Sequence, residues 1–209
     1  DSSTFARDEP RCMSSRFGPG DVRFFDRLAR LYDVAMPPAR VGPLRDGFAF
    51  ADRPIERMLD LAGGTGRASR GLQRTGLDPV VVDISAGMLA RARAAGHEVV
   101  RGDAGRLPIG DDAVDAAVVV DAYHHLPDRE AALAEAVRVV APGGVVVIRD
   151  FDPTTLPGRL IANGEALFGM ASQFVAVDAA AQQLTRAGLQ SRVLERGTTY
   201  TVAGRVPAE

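Results

Sequence analysis

Residues 59–66 read LDLAGGTG, and this stretch decides the fold. Apolar residues, then glycines, then an arginine-led segment spell the end of a buried strand, a tight turn and the start of a helix. Gly64 and Gly66 lack side chains, so a ligand can approach the main chain closely. The helix N-terminus behind them offers free N–H groups. Two acids follow in order. Asp83 ends a second apolar run, VVVD (80–83), and Asp103 follows a third short segment, EVVRGD (98–103). A nucleotide-like ligand would lay its backbone-hugging part over the glycines. Its ribose hydroxyls would face Asp83 and its base would lie near Asp103.

Outward from this turn, strand and helix alternate. Met58–Leu61 is a strand and Arg67–Arg74 a helix closed by Gly76. Pro79–Asp83 is the second strand. Ser85 caps a helix over Ala86–Ala95, which Gly96 ends. Strands are expected at Glu98–Arg101 and Ala113–Val120, then a helix at Asp128–Val140, a Pro142-Gly143-Gly144 turn and a strand at 145–150. Apolar strands separated by helices imply a parallel sheet covered on both faces. Such sheets bind ligands beyond the carboxyl ends of their strands. Asp60, Asp83, Asp103, Asp121 and Asp150 all fall near those ends.

The flanks differ. Residues 21–35 place Phe24, Leu28, Leu31 and Tyr32 at helical spacing before Pro37-Pro38, and a short helix is expected from Pro43 to Phe50. Leu156–Met170 and Asp178–Ala187 read as helices. Ser191–Gly197 and Thr199–Val206 read as two strands joined by a tight turn. The expected fold is α/β: a doubly wound, mostly parallel seven-stranded, Rossmann-like sheet with an antiparallel C-terminal hairpin and a small helical cap. Residues 1–20 are expected as a flexible tail, with Met13 an alternative first residue. Residues 21–209 form one domain, with 21–50 and 156–170 as the cap over the active site.

Composition excludes several classes. The chain has 209 residues, 46% hydrophobic and 25% charged, as in ordinary globular proteins. A net charge of −2 gives no nucleic-acid footprint. The 25 basic residues are all arginine, which fits GC-rich coding better than any use of guanidinium. The single cysteine, Cys12, excludes an intrachain disulfide and a multi-cysteine metal site. No apolar run is long enough for a membrane span, and a cytoplasmic protein is expected.

A dinucleotide-binding oxidoreductase competes for the glycine turn. Its fingerprint would want a third glycine where Ser69 stands. The second acid, in Asp103-Ala104, and the APGG turn of 141–144 favour another class. Five segments carry the resemblance: FDRLARLYD (25–33), LDLAGGTGR (59–67), VVDISAGML (81–89), GDAGRLPIGDDAVD (102–115) and RVVAPGGVVVIRDF (138–151). On these the chain resembles the class I S-adenosylmethionine (SAM)-dependent methyltransferases over roughly residues 21–200. Within them it is similar to the ubiquinone and menaquinone biosynthesis C-methyltransferases. That resemblance implies SAM as cofactor. It assigns Asp60 and the backbone of Ala62, Gly63, Gly64 and Gly66 to the methionine part, and Asp83 to the ribose. Ile84 lies beside the adenine, Asp103 and Ala104 read its edge, Met88 is a further cofactor-binding residue, and Tyr32 closes over the donor. Asp121 is expected to contact the ligand.

The expected acceptor is a small hydrophobic aromatic molecule, with C-methylation of a quinol such as demethylmenaquinol foremost. O- or N-methylation of another metabolite, and a SAM-binding partner protein without turnover, are the alternatives. A lipid quinol would bring transient contact with a membrane surface. His124 and His125 lie just past the fourth strand, one expected to pack and the other to face the donor. His124 is expected as general base, since an imidazole titrates near neutrality. Tyr123 helps position the acceptor, and Asp150 is the alternative base. Arg149 is read as a strand-end charge. Two adjacent histidines are a weak metal signal without an evident third ligand, so no metal is expected.

Overall fold

The computed structural model describes residues 18–35 and 39–208, with main chain alone for 30–35. Its centre is a seven-stranded sheet in the order β3-β2-β1-β4-β5-β7-β6. The strands are β1 (Arg57–Leu61), β2 (Asp78–Asp83), β3 (Glu98–Arg101), β4 (Val114–Val120), β5 (Val140–Phe151), β6 (Gln190–Glu195) and β7 (Thr199–Arg205). The first five pair in parallel, and β7 runs antiparallel between β5 and β6.

Continuous apolar runs form these strands because both faces are covered. Leu59, Leu61, Val80, Val82, Val119 and Ile148 share one core with Leu133, Ala136 and Val139 of α5 (Arg129–Val139). Ala180 and Leu184 of α7 (Val177–Arg186) complete that core. Met58, Ala116, Val118, Val145 and Val147 face the other way. They meet Leu44 of α2 (Gly42–Phe48) and Ala68 and Leu72 of α3 (Arg67–Gln73). On that layer α4 (Ala86–Ala94) packs Leu89 and Ala92 on Val81.

Helix starts follow local chemistry. Ser85 accepts from the Met88 N–H and Asp128 from the Ala131 N–H, each satisfying an otherwise orphaned donor of a first turn. Thr155 does the same for Gly158 at the start of α6 (Leu156–Leu167). Val22–Ala35 forms α1, whose Asp26 accepts from Ser85 Oγ (2.5 Å) and Gly87 N (3.0 Å). These bonds fix α1 against the start of α4.

Two expectations change. Residues 142–144 do not turn the chain into a new strand. They lie within β5 as an irregularity where its register against β4 shifts between Val114 and Ala116, and Val140 already pairs with Val114. Nor is α2 part of a lid: its Leu44 is fully buried in the sheet-face core, so this helix belongs to the covering layer. Tyr32 has its side chain outside the described residues, as do Pro37-Pro38 and the tail up to residue 17.

Candidate active site

The carboxyl ends of β1, β2 and β4 open into a cleft. Its floor comes from Asp60, Ala62, Gly63 and Gly64, and one wall from Asp83, Ile84, Ser85 and Met88. Asp103 and Ala104 lie farther along. Val22 and Phe25 of α1 face them with Ala122, His125 and Leu126.

The turn after β1 is shaped by close approach. Ala62 takes φ +52°, Gly64 +59° and Gly66 +75°, a left-handed run that side chains resist. A Cβ on Gly63 would stand 2.6 Å from the Asp60 carboxyl carbon, so only glycine lets the turn fold back over Asp60. Asp60 is buried. Its Oδ2 accepts from Ser69 N (3.2 Å) and Ser69 Oγ (2.6 Å), whereas Oδ1 has no hydrogen-bond partner. Burial raises its pKa to about 6, with the Ser69 bonds holding it from going higher. Ser69 therefore has a structural reason to replace the third glycine of a dinucleotide fingerprint.

Asp83 sits half-buried, accepting from Gly64 N (2.9 Å) and Ser85 N (2.8 Å). Burial raises its pKa against these backbone bonds. Asp103 is exposed at the cleft edge, where its Oδ1 accepts from Gly105 N (2.9 Å) and sets the turn. Ile84 is 44% exposed, a large apolar side chain left open beside the cleft. An isolated buried carboxylate oxygen on the floor, a main-chain turn above it and two spaced acids fit an extended cationic nucleoside. They suit the ammonium, ribose and adenine of SAM in that order.

Other expected site residues are placed differently. Gly66 does not line the cleft; it packs on His97, whose ring a Cβ there would meet at 2.6 Å. Asp121 lines the cleft, but its carboxylate is held by Arg67 (2.6 Å) and Arg149 (2.8 Å), all three side chains largely buried. Arg149 is therefore an ion-pair partner, contrary to the expectation of a plain strand-end charge. Asp121 itself adopts φ +52°, which turns the chain sharply after β4.

None of the three expected catalytic residues reaches the cleft. Tyr123 is fully buried and directs its hydroxyl to Gln183 of α7 (2.7 Å), on the other side of the turn. The His124 ring is buried, with Nδ1 2.7 Å from Asp150 Oδ1 and Nε2 3.5 Å from Glu165 Oε1. Phe174 stacks on it at 4.2 Å. Burial alone would discharge this imidazole, but Asp150 and then Glu165 outweigh it and push the pKa up to about 10. The pair favours the charged imidazolium over the neutral base expected from the sequence. Asp150 is equally buried and committed to the pair. The imidazole that lines the cleft is His125, its side chain 12% exposed and its ring held by Asp21 (3.4 Å) and Ser172 (3.3 Å). Burial, then the neighbouring His124 charge, lowers its pKa. Adjacency hides which histidine faces in; only the single helical turn at 123–125 decides it.

Residues 59–148 match the family model described as a methyltransferase domain. By fold, a SAM-dependent methyltransferase from Thermotoga maritima is similar at TM-score 0.70, 23% identity and coverage of 88% of this chain and 98% of that one. The [4+2]-cyclase SpnF is similar at TM-score 0.62 and 16% identity, covering 88% of this chain and 81% of its own. Residues 59–148 thus match a methyltransferase domain, and the fold is one that SAM-dependent methyltransferases share.

Within that class it resembles the demethylmenaquinone methyltransferases. It is 38% identical over 159 residues to that of Beutenbergia cavernae, covering 72% of this chain and 64% of the relative. Against that of Mycobacterium tuberculosis it is 36% identical over 143 residues, covering 66% and 61%. The chain therefore spans somewhat under two thirds of these relatives' length. No helix among the described residues is long and apolar enough to cross a membrane.

Proposed function

We propose that the protein transfers a methyl group from SAM to a small hydrophobic aromatic acceptor, with the ring carbon of a quinol such as demethylmenaquinol foremost. The observation that carries this reading is the cleft itself. It brings Asp60, the glycine turn, Asp83 and Asp103 together with an apolar wall of Val22, Phe25, Ala122 and Leu126. The similarity to demethylmenaquinone methyltransferases supports the choice of quinol.

Asp60 Oδ1 and the main chain of 62–64 would hold the amino-acid end of the donor. Asp83 would take the ribose hydroxyls, Ile84 and Met88 the adenine face, and Asp103 with Ala104 its edge. When bound, SAM supplies a methyl group made electrophilic by its sulfonium. The chain's own work is to align and to exclude water, and alignment alone can remove much of the barrier. The apolar wall holds an aromatic ring in the cleft and keeps solvent from it. A phenol carbon becomes nucleophilic as its hydroxyl loses a proton, and His125 is the imidazole facing the place where that proton would leave.

Calorimetry with SAM and its demethylated product, followed by a panel of quinols and polar acceptors, tests the reading. SAM and the product should bind, and quinols should outcompete polar acceptors. NADH binding with neither sulfur ligand bound would reject the donor. Efficient methylation of a charged peptide with quinols inert would reject the acceptor.

A further inference from the structure

Beside the cleft, three potential ligands converge, one of them from a distant helix. His124 and His125 are adjacent, and Glu165 arrives from α6; one ligand atom from each lies within 4.8 Å of the others. We propose that His124, His125 and Glu165 form a binding site for a borderline divalent first-row metal ion, with zinc as its simplest occupant.

Two buried polar atoms lack hydrogen-bond partners: His124 Nε2 and Glu165 Oε2. Leaving such atoms without hydrogen bonds is costly, and a cation that takes the place of the His124 Nε2 proton would engage both at once. His124 Nε2 is 3.5 Å from the near oxygen of Glu165. Two ligands each about 2.0–2.1 Å from a tetrahedral ion stand about 3.3 Å apart, so little movement is needed.

The surroundings are those of a metal-binding imidazole pair. A ligating histidine usually gives its other ring nitrogen to a carboxylate that fixes its orientation. Here His124 Nδ1 meets Asp150 at 2.7 Å and His125 Nδ1 meets Asp21 at 3.4 Å. Phe174 stacks on His124 and Phe151 stands at its edge, giving the cluster an apolar shell. Two imidazoles and one carboxylate suit zinc and its neighbours better than calcium or magnesium, which favour oxygen ligands. Such a site leaves a fourth position open. An occupied site would use the imidazole lone pair that His125 otherwise offers an acceptor, so metal binding and proton acceptance exclude one another.

The test is binding to the full chain carrying Cys12→Ser, so that the thiol cannot contribute. After chelator treatment and dialysis, zinc is titrated by calorimetry and cobalt(II) by its visible absorption. The expected result is about one equivalent bound with micromolar or tighter affinity, with a rise in melting temperature. Glu165→Gln keeps the shape and removes the ligand charge, and His125→Asn removes a ligand; each should weaken binding at least about tenfold. Asp150→Asn, which touches the site only through His124, should weaken it by about tenfold to a hundredfold. No saturable uptake, or equal uptake by the parent, Glu165→Gln and His125→Asn, would overturn the site and leave His124 as a buried ion pair only.

Discussion

The two ends of the cleft are built by different means. The donor end, as proposed above, is built around main chain: a left-handed glycine turn and a helix N-terminus, with acids near successive strand ends. The acceptor end, as proposed above, is an apolar wall backed by a side-chain assembly from distant segments, in which the 123–125 turn, Asp150, Glu165 of α6 and Phe174 hold His124 outside the cleft while His125 lines it. Local backbone geometry tolerates few substitutions but depends on few partners. A buried charge network depends on every partner at once. The comparison teaches that the donor end should lose ligand when altered, whereas the acceptor end should lose either turnover or stability according to which histidine is touched.

The sharpest way to break this contrast is at the adjacent histidines. His125→Asn should lower methyl transfer by about 10²–10⁴ while SAM affinity, read by calorimetry, stays constant. Full turnover in that variant would remove His125 from the chemistry. Asp150→Ala should act on stability instead. It strands a buried imidazolium, and breaking such a pair costs about 3–5 kcal/mol, measurable by urea unfolding. A cost within the range of a surface substitution would mean that the network does not hold the acceptor end together.

At the donor end, Asp83→Ala should weaken SAM binding by about tenfold to a hundredfold, the worth of charge-assisted bonds to two hydroxyls, with the fold intact. Unchanged affinity in a folded variant would detach Asp83 from the ribose. Asp60 gives a smaller, pH-dependent effect. Its folded pKa of about 6 lies above the ordinary 3.8, so its contribution to the stability of ligand-free protein is complete below 3.8 and is lost as pH rises through about 6. A bound ammonium favours the ionised carboxylate. SAM affinity should therefore climb by at most about tenfold per pH unit up to about 6 and level off above. A flat profile over that range would place the ammonium elsewhere. The smallest effect is Ser85→Ala, which removes the cap of α4 and a tie to α1 and should cost about 1 kcal/mol in thermal unfolding.

The same division explains what could be read from the chain. The parallel strands, their covering helices and the glycine turn are written in short-range patterns of apolar runs, caps and glycines. So are the positions of Asp60, Asp83 and Asp103, since each falls at or near the carboxyl end of a strand. The acceptor end is not local. That Tyr123 points to Gln183, or that Glu165 returns to His124, depends on how α6 and α7 pack after the sheet forms. Asp121 shows the limit within one residue: its place at a strand end was evident, but its two arginine partners come from β5 and α3. The irregularity at Pro142–Gly144 misled for a related reason, because a turn-forming sequence can also be absorbed as a bulge within a paired strand.

The antiparallel strand β7 lies between β5 and β6, although it follows both in the chain. During synthesis, β5 must therefore wait with one edge bare while two helices, α6 and α7, and the strand β6 emerge. That edge belongs to Val145–Phe151, the strand that β7 later pairs residue for residue from Arg205 back to Thr199. An unpaired, apolar edge is a template for pairing with another chain. A ribosome-bound chain halted before Thr199 would present it to its neighbours, so the last strand acts as the molecule's own safeguard against aggregation, available only once translation has passed it.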